Sequence, residues 1–353
     1  MKKVIFISAL AIAAAVSCTK SDIVDTKFDD AIGFTTYLGR DAQTKAAETT
    51  TATLTEFGVY GFYTATEEYD PEVNTTANLM DHQKVTKSGS AWTYTPAKYW
   101  TNGTDNYTFF AYAPYSVGKA GGAPVIEYTV DDDLENQQDV IYSINNRDVT
   151  KEECTVTSGE GDDATSTTYV PFTFKHALAR LSVKAKAVMY DAEGTIVTEP
   201  AADQVYDNTF AIKGITITGA FHTTGTMDLS AASPEWEAEA TAGTVYDLTG
   251  EVDQELTAEL YDFSATSNYL MMIPTDFSTT NAILSVTYTV TYAGVESDEI
   301  TKTVAVPTNF VQGKAYTINL TLQRDEANAI VFTVESVDGW VAATPEQDSS
   351  INA

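Results

Sequence analysis

Apolar and polar residues alternate along most of this chain in short runs that end at Gly, Pro, Asn or Asp. An alternation with a period of two places apolar side chains on one face of a β-strand, and those four residue types favour turns. No run of ten or more residues has the apolar spacing of an amphipathic helix. The pattern predicts strands at residues 32–38, 57–63, 92–94, 107–112, 126–130, 140–144, 170–174, 181–187, 210–218, 269–273, 284–292, 301–306, 316–322 and 330–334.

Strands this short, separated by turns at this spacing, favour an all-β fold of antiparallel sandwiches over a parallel sheet. The acidic, Ser- and Thr-rich stretch 155–168 has no periodicity, so it predicts a long surface loop or a linker. A chain of 353 residues with 43% hydrophobic residues is long enough for about two cores. We therefore expect two antiparallel β-sandwich domains in tandem, over residues 47–168 and 169–353.

The N-terminal residues have the features of an export signal. Two lysines precede a small and apolar run from residue 4 to residue 16, which is shorter than the ~20 residues of a membrane-spanning helix. The sequence Ala15-Val16-Ser17-Cys18 resembles a bacterial lipobox. This predicts a signal peptide over residues 1–17 and an exported lipoprotein that is acylated on Cys18. The alternative is an ordinary signal peptide followed by an incidental cysteine.

A polar segment, residues 19–30, leads from this cysteine into the first predicted strand. The apolar positions of that strand are Ile32, Phe34 and Leu38, and small or polar residues follow it. Segments of that composition are exposed and are cut readily by proteases. Residues 18–46 are therefore interpreted as a lipidated tether and a first strand, which together form a possible propeptide.

Charge and cysteine content narrow the possible functions. The chain has 50 acidic and 20 basic residues and a formal net charge of −30, with no cluster of Lys or Arg. Binding to nucleic acid requires a basic patch, so we expect no nucleic-acid partner. If Cys18 is acylated, Cys154 has no partner within the chain, and no disulfide framework stabilises the fold.

The sequence contains no recognisable catalytic or cofactor-binding motif, and it predicts a protein that is not an enzyme. The three histidines, His82, His176 and His222, have no metal-ligand spacing, and we interpret His176 as a strand-end imidazole bonded to backbone. The acidic group Asp131–Asp133 with Glu135 could bind calcium, although a solvated turn is the favoured interpretation. A hydrolase that uses two of the many carboxylates remains a minor alternative.

An aromatic-rich segment follows the first strands, and it has two possible roles. The rings could stack on a sugar, or they could fill the core of a sandwich, which we favour because period-two spacing assigns them to alternate faces. One face would carry Tyr107 and Phe109, and the other would carry Phe110 and Tyr112. The segment comprises Tyr94, Tyr99, Trp100, Tyr107, Phe109, Phe110, Tyr112 and Tyr115.

The same segment carries a family resemblance. Lys98-Tyr99-Trp100, followed by Tyr107-Thr108-Phe109-Phe110-Ala111-Tyr112-Ala113-Pro114, resembles the signature of Bacteroidales fimbrillins, the subunits of type V pili. Residues 139–142, 174–181, 310–322 and 330–340 are similar to further family patterns in the same order. The resemblance implies transthyretin-like sandwiches, other fimbrial subunits as partners, attachment to the outer membrane and a location in a cell-surface fimbria that supports adhesion to a host glycan or protein.

Fimbrillins of this kind are exported as lipoproteins, and an arginine- or lysine-specific protease then removes the first strand. A strand of the next subunit fills the groove that this leaves. Carried over to this sequence, the cut follows Arg40, with Lys45 as the second choice, and the displaced strand contains Ile32, Phe34 and Leu38. The donor segment contains Ile330, Phe332, Val334 and Trp340.

The resemblance leaves open whether the subunit forms the stalk, the anchor or the tip. The alternative function is a surface glycan-binding lipoprotein or tip adhesin that is not processed at Arg40.

Overall fold

The computed structural model describes residues 30–38, 49–158, 165–197, 206–265, 269–292, 294–324 and 330–335. Cys18, Arg40, Lys45 and Trp340 lie outside the described residues. Within the described ranges, no helix has the length and apolar character needed to cross a membrane.

The first half of the described chain consists of ten strands and the 3₁₀ helix Tyr115–Val117. The strands are β1 (Phe34–Leu38), β2 (Glu56–Ala65), β3 (Met80–Ser88), β4 (Ala91–Thr93), β5 (Asn106–Ala113), β6 (Val125–Thr129), β7 (Ile141–Val149), β8 (Thr155–Ser158), β9 (Thr165–Thr168) and β10 (Val170–His176).

The second half of the described chain continues with β11 (Ala179–Ala187), β12 (Asn208–Asp228), β13 (Trp236–Asp247), β14 (Gln254–Glu255), β15 (Tyr261–Asp262), β16 (Leu270–Met272), β17 (Thr275–Asp276) and β18 (Ala282–Tyr292). The last strands are β19 (Val295–Glu296), β20 (Ile300–Val306), β21 (Asn309–Phe310), β22 (Ala315–Arg324) and β23 (Ile330–Glu335), and a 3₁₀ helix spans Phe263–Ala265. The prediction of an all-β protein is confirmed.

These strands form three larger sheets and two small ribbons. The first sheet has the order β1-β10-β7-β5-β2-β3-β4, and β1 is parallel to β10 at its edge. The second sheet has the order β15-β11-β22-β23, with β16 also paired to β11. The third sheet has the order β13-β12-β18-β19, with β6 and β14 paired to β12 and β20 paired to β18. The ribbons are β8-β9 and β17-β21.

Two strands connect the halves of the chain. Strand β6 precedes residue 168 but pairs with β12 of the third sheet, and β10 follows residue 168 but belongs to the first sheet. The segment between β6 and β7 also contacts the second sheet, since the Met271 N–H of β16 donates to Gln137 Oε1 at 2.7 Å. The tandem division at residues 168 and 169 stays a prediction, and β6 and β10 are the strands that cross it.

The core consists of two hydrophobic clusters on opposite faces of the first sheet. Tyr107 and Phe109 of β5 belong to the smaller cluster, which also contains the apolar side chains around β1. Phe110 and Tyr112 belong to the larger cluster, which includes residues of the second and third sheets. The predicted separation of these four rings onto two faces is therefore confirmed, and all four are fully buried.

The prediction of a loop or linker over residues 155–168 is wrong, because β8 and β9 form a hairpin there. Hydroxyl groups pair across the two strands, with Thr155 and Thr168 at 2.7 Å and Thr157 and Ser166 at 2.8 Å. Almost every side chain of this hairpin is exposed or half-buried. A strand with polar residues on both faces has no apolar alternation, so the hydrophobic pattern gave no signal.

Candidate assembly site

Strand β1 is the outermost strand of the first sheet. Its residues run parallel to β10, and Phe34 is opposite Val170 while Leu38 is opposite Phe174. Within the part of the chain that the structure describes, β1 pairs with no second strand. An edge strand is bound to its sheet through one ladder of hydrogen bonds, so it separates at a lower cost than a central strand.

The apolar side chains of β1 and of Ile32 just before it face the smaller cluster. Ile32, Phe34 and Leu38 are 1%, 3% and 4% exposed, as the alternation predicts. The centroid of the Phe34 ring lies 5.3 Å from that of Phe172 and 5.5 Å from that of Tyr94. The Phe34 ring also makes edge contacts with Phe57 and Phe109. Removal of this strand would therefore expose an aromatic-lined groove beside β10.

The start of β1 is held by groups from the segment before β5. The Ile32 N–H donates to the Lys98 carbonyl at 2.9 Å, and the Tyr94 hydroxyl donates to the Ile32 carbonyl at 2.8 Å. Burial raises the pKa of Tyr94 to about 12, so this hydroxyl stays protonated and able to donate even above the ordinary tyrosine pKa of 10.0. Asp30 forms an ion pair with Lys151.

The end of β1 is held by one hydroxyl group. The Leu38 N–H donates to Thr51 Oγ1 at 2.9 Å, and the same hydroxyl donates to the Leu38 carbonyl at 2.9 Å. Thr49, the first described residue after residue 38, donates its N–H to Asp139 Oδ2 at 3.1 Å. A cut within residues 39–48 would therefore sever the covalent link to β1 and leave these noncovalent contacts in place.

Strand β10 is joined to β7 partly through side chains. Backbone pairing between the two strands covers Lys175 with Tyr142 and His176 with Ile141. Nearer the start of β10, Asn145 Nδ2 and Asn146 Nδ2 donate to the Pro171 carbonyl at 2.7 and 2.9 Å. The Thr173 N–H donates to Asn145 Oδ1 at 3.0 Å. These amides hold β10 in the sheet where its backbone ladder to β7 has ended.

The interpretation of His176 as an imidazole bonded to backbone needs correction. Its Nδ1 atom lies 2.8 Å from Asp139 Oδ2, and both side chains are buried. The reason is tertiary: Asp139 lies just before β7 and His176 ends β10, so the β7–β10 pairing brings them together. The same carboxylate oxygen accepts the Thr49 N–H, which connects this pair to the chain after β1.

The aromatic segment is mostly core, which confirms the favoured interpretation. Trp100 is 4% exposed and packs edge-on against Tyr107 with centroids 4.7 Å apart. A buried indole has no face available to stack on a sugar, whereas Tyr99 is 42% exposed. The interpretation as a sugar-stacking platform therefore fails for Trp100.

The acidic group before β7 forms a turn, as the favoured interpretation predicts. Asp131 Oδ1 accepts the Asp133 N–H at 2.9 Å, and Asp133 Oδ1 accepts the Glu135 N–H at 3.0 Å. These carboxylates cap backbone groups of their own turn. Across the described ranges, no group of three or more His, Cys, Asp or Glu side chains is placed to hold a metal ion.

Cys154 is a buried free thiol in the smaller cluster. Burial, and secondarily the neighbouring Glu153, raise the pKa of this thiol to about 11. Its carbonyl accepts the N–H of Tyr169, whose ring lies against Gly33 at the start of β1. The thiol therefore lies close to the part of the core that β1 covers.

The predicted donor segment begins with another edge strand. Strand β23 pairs with β22 in antiparallel register, and Phe332 is opposite Leu322 while Val334 is opposite Leu320. Ile330 is opposite Arg324 at the start of the strand. Among the described residues, β23 has no second neighbouring strand. The predicted displaced strand and the predicted donor strand thus lie at the edges of two different sheets.

Sequence reasoning missed four residues: Thr51 and Tyr94, which bond to the β1 segment, and Asn145 and Asn146, which bond to β10. Each of them bonds to a residue that is distant along the chain, and hydroxyl and amide side chains in polar segments carry no sequence signal of such a contact.

Comparison with known proteins identifies similar chains. The model of a family described as fimbrillin-like matches residues 44–340. Fimbrium subunit Fim1C of Phocaeicola vulgatus is 27% identical in an alignment 383 positions long, which covers 95% of this chain and 95% of that one. The crystal structure of a fimbrial protein from Bacteroides vulgatus is similar with a TM-score of 0.65 and 22% identity, covering 88% of this chain and 100% of that one. At that identity, the structural likeness is one of fold.

Proposed function

Because the chain belongs to the fimbrillin-like family, we propose that it is a structural subunit of a cell-surface fimbria that supports adhesion. The family is a class of structural subunits and not of enzymes. The proposal includes export as a lipoprotein with Cys18 as the acylated residue, which is supported by the signal-like residues 1–17. Such an anchor would attach the chain to the outer membrane before assembly.

We further propose that a protease cuts the chain after Arg40, or after Lys45, and that β1 then leaves. The observation that carries this proposal is that β1 is an edge strand which, together with Ile32 just before it, buries three apolar side chains shortly before these basic residues. Loss of β1 opens an aromatic groove and the backbone edge of β10, which a strand from residues 330–341 of the next subunit fills.

Strand addition of this kind combines main-chain hydrogen bonds with side chains in pockets. Each apolar side chain that is buried contributes about 1.5–3 kcal/mol, so several of them make a long-lived joint. The donor end and the groove are different surfaces, so the contact is heterologous and propagates as a filament. The partners are therefore other fimbrial subunits, including copies of this chain. The proposed assembly uses no cofactor.

The test is the N-terminal sequence and the intact mass of this protein in filaments sheared from its native cells. A chain that begins at Asp41 or Ala46 supports the processed subunit. The matched variants are Arg40→Ala, Lys45→Ala and the double substitution, with Lys20→Ala as the control outside the predicted cut. A chain that still begins at acylated Cys18 and stays monomeric would contradict processing and polymerisation.

A further inference from the structure

The predicted displaced strand and the predicted donor strand share a sequence pattern. Residues 32–35 are Ile-Gly-Phe-Thr, and residues 330–333 are Ile-Val-Phe-Thr. The shared Ile and Phe are two positions apart, so they lie on the same face of a strand. In β1 this face points into the smaller cluster.

The ring at position 34 sets the register of an incoming strand. Phe34 is surrounded by the rings of Phe57, Tyr94, Phe109 and Phe172, so an aliphatic or polar side chain in its place would leave this site underfilled. Between residues 330 and 341, the aromatic residues are Phe332 and Trp340. One of these two rings must therefore take the place of Phe34.

Trp340 is excluded by the charge two residues before it. In a strand parallel to β10, Trp340 at position 34 puts Asp338 in the place of Ile32, which is 1% exposed. In the opposite direction, Asp338 takes the place of Thr36, which also faces inward. A carboxylate would be buried at the Ile32 site and half-buried at the Thr36 site, and it would lose hydration at either one. Phe332 has no charged residue at the inward positions on either side.

The direction of the strand follows from the site of Leu38, which is 4% exposed. With Phe332 in the place of Phe34, a parallel strand puts Ser336 at the Leu38 site, and an antiparallel strand puts Asn328 there. The serine is small and has one hydroxyl group to satisfy, whereas the amide has two polar atoms and a larger volume. The parallel direction also restores Ile330 at the site of Ile32.

We propose that residues 330–336 of a neighbouring copy take the place of residues 32–38, parallel to β10, with Phe332 at the site of Phe34. This inference rests on the proposed function and adds the register and the direction of the exchange. Val334 then replaces Thr36, and Glu335 lies beside Thr173 on the outer face, where Tyr37 lies in the unprocessed chain.

In the donor copy, residues 330–335 must leave β22, and in the acceptor copy one contact must change to admit them. A Cβ atom at Gly33 would lie 2.7 and 2.9 Å from two ring carbons of Tyr169, and Val331 brings such an atom to this position. The Tyr169 side chain is 45% exposed, so its ring can rotate toward solvent. Strand exchange is therefore accompanied by movement of Tyr169, and Tyr169→Ala makes exchange faster.

The register is tested by disulfide formation between two populations of the chain from residue 18, both with Cys18→Ser and Cys154→Ala and both cut by an arginine-specific protease. The acceptor population carries Thr173→Cys. The donor populations carry Glu335→Cys, Thr333→Cys or Ala329→Cys. Adjacent residues on neighbouring strands satisfy disulfide geometry, so the register should select one pair.

The expected result is a disulfide between position 173 of the acceptor and position 335 of the donor. The Thr333→Cys and Ala329→Cys donors should give about tenfold less of the crosslinked product. A dominant crosslink to 329 would show an antiparallel donor, and one to 333 would show a shift by two residues. Either result overturns the inference. Filament length, measured by electron microscopy without oxidation, separates the two proposals: filaments without the 335 crosslink overturn the register alone, and the absence of filaments overturns the fimbrial function as well.

A synthetic peptide of residues 329–337 provides a second measurement that does not depend on the folding of a donor variant. It should bind the cut chain, and Phe332→Ala in the peptide should weaken binding about tenfold or more. Thr333→Ala is the control on the outer face, and Val334→Thr restores the residue of β1, so both should keep binding. Equal affinity of the Phe332→Ala peptide would overturn the inference.

Discussion

The rings of Phe34 and Phe172 stack across the β1–β10 pair, with centroids 5.3 Å apart and planes inclined by 28°. Phe172 is on the strand that would remain after processing, and Phe34 is on the strand that would leave. The contact therefore belongs to the part of the core that a processed chain would lack.

Phe34→Ala should lower the free energy of unfolding of the unprocessed chain by about 3–5 kcal/mol, because it leaves a cavity among four rings. Urea denaturation measures the change, and Thr35→Ala on the exposed face is the control. A loss of less than about 1 kcal/mol would show that β1 contributes little to the core.

Thr51→Val should weaken the attachment of β1 by about 1–3 kcal/mol, because it removes both hydrogen bonds to Leu38 while it keeps the shape of the side chain. The measurement is the rate at which the N-terminal fragment dissociates after the chain is cut within residues 39–48. The control is Thr53→Val, since that side chain bonds to nearby Thr50. Equal dissociation rates for the two variants would contradict this role of Thr51.

Cys154 should report the loss of β1 through its reaction with a disulfide reagent. The thiolate is the reactive form, and a pKa of about 11 in place of 9.0 lowers its fraction at pH 8 about a hundredfold. In a Cys18→Ser background, the uncut chain should react slowly, and loss of β1 should accelerate the reaction by uncovering the cluster.

The same pKa shift makes the stability of the folded chain depend on pH. Because burial favours the neutral thiol of Cys154, its contribution to the free energy of unfolding is complete below pH 9.0 and is lost as the pH rises through about 11. For the reaction with the disulfide reagent, the rate of the urea-unfolded chain is the reference for a fully exposed thiol. An uncut chain that reacts as fast as the unfolded chain would refute the burial of Cys154.

Gly118→Ala should destabilise the fold by about 1–3 kcal/mol through overpacking. An added Cβ atom would lie 2.2 Å from the hydroxyl oxygen of Tyr112, which is fully buried between Gly58 and Gly118. The matched control is Gly122→Ala, where nothing lies within 4 Å of the added atom. Thermal unfolding of the two variants measures the difference, and similar midpoints would contradict the close approach.

Strand positions could be predicted wherever one face of a strand is apolar and the other is polar, as in β1. The prediction failed at β8, β9 and most of β13, where exposed threonines and charged residues occupy both faces. It also placed the end of β12 at residue 218 instead of Asp228, because the rest of that strand is largely polar. Hydroxyl pairs and backbone ladders stabilise such strands, and neither produces a periodic hydrophobic signal.

The sequence by itself determined the all-β class, the two faces of β5 and the apolar residues of β1, because these depend on local alternation. It also supplied the order of motifs that identifies the family. Only the tertiary structure decided that β1 pairs with β10, whose residues are 136 positions further along the chain. It also decided that Thr51 holds the end of β1 and that Asp139 bonds to His176. These contacts join residues that are far apart in sequence, and the energy of such pairs depends on a packing geometry that no local pattern records.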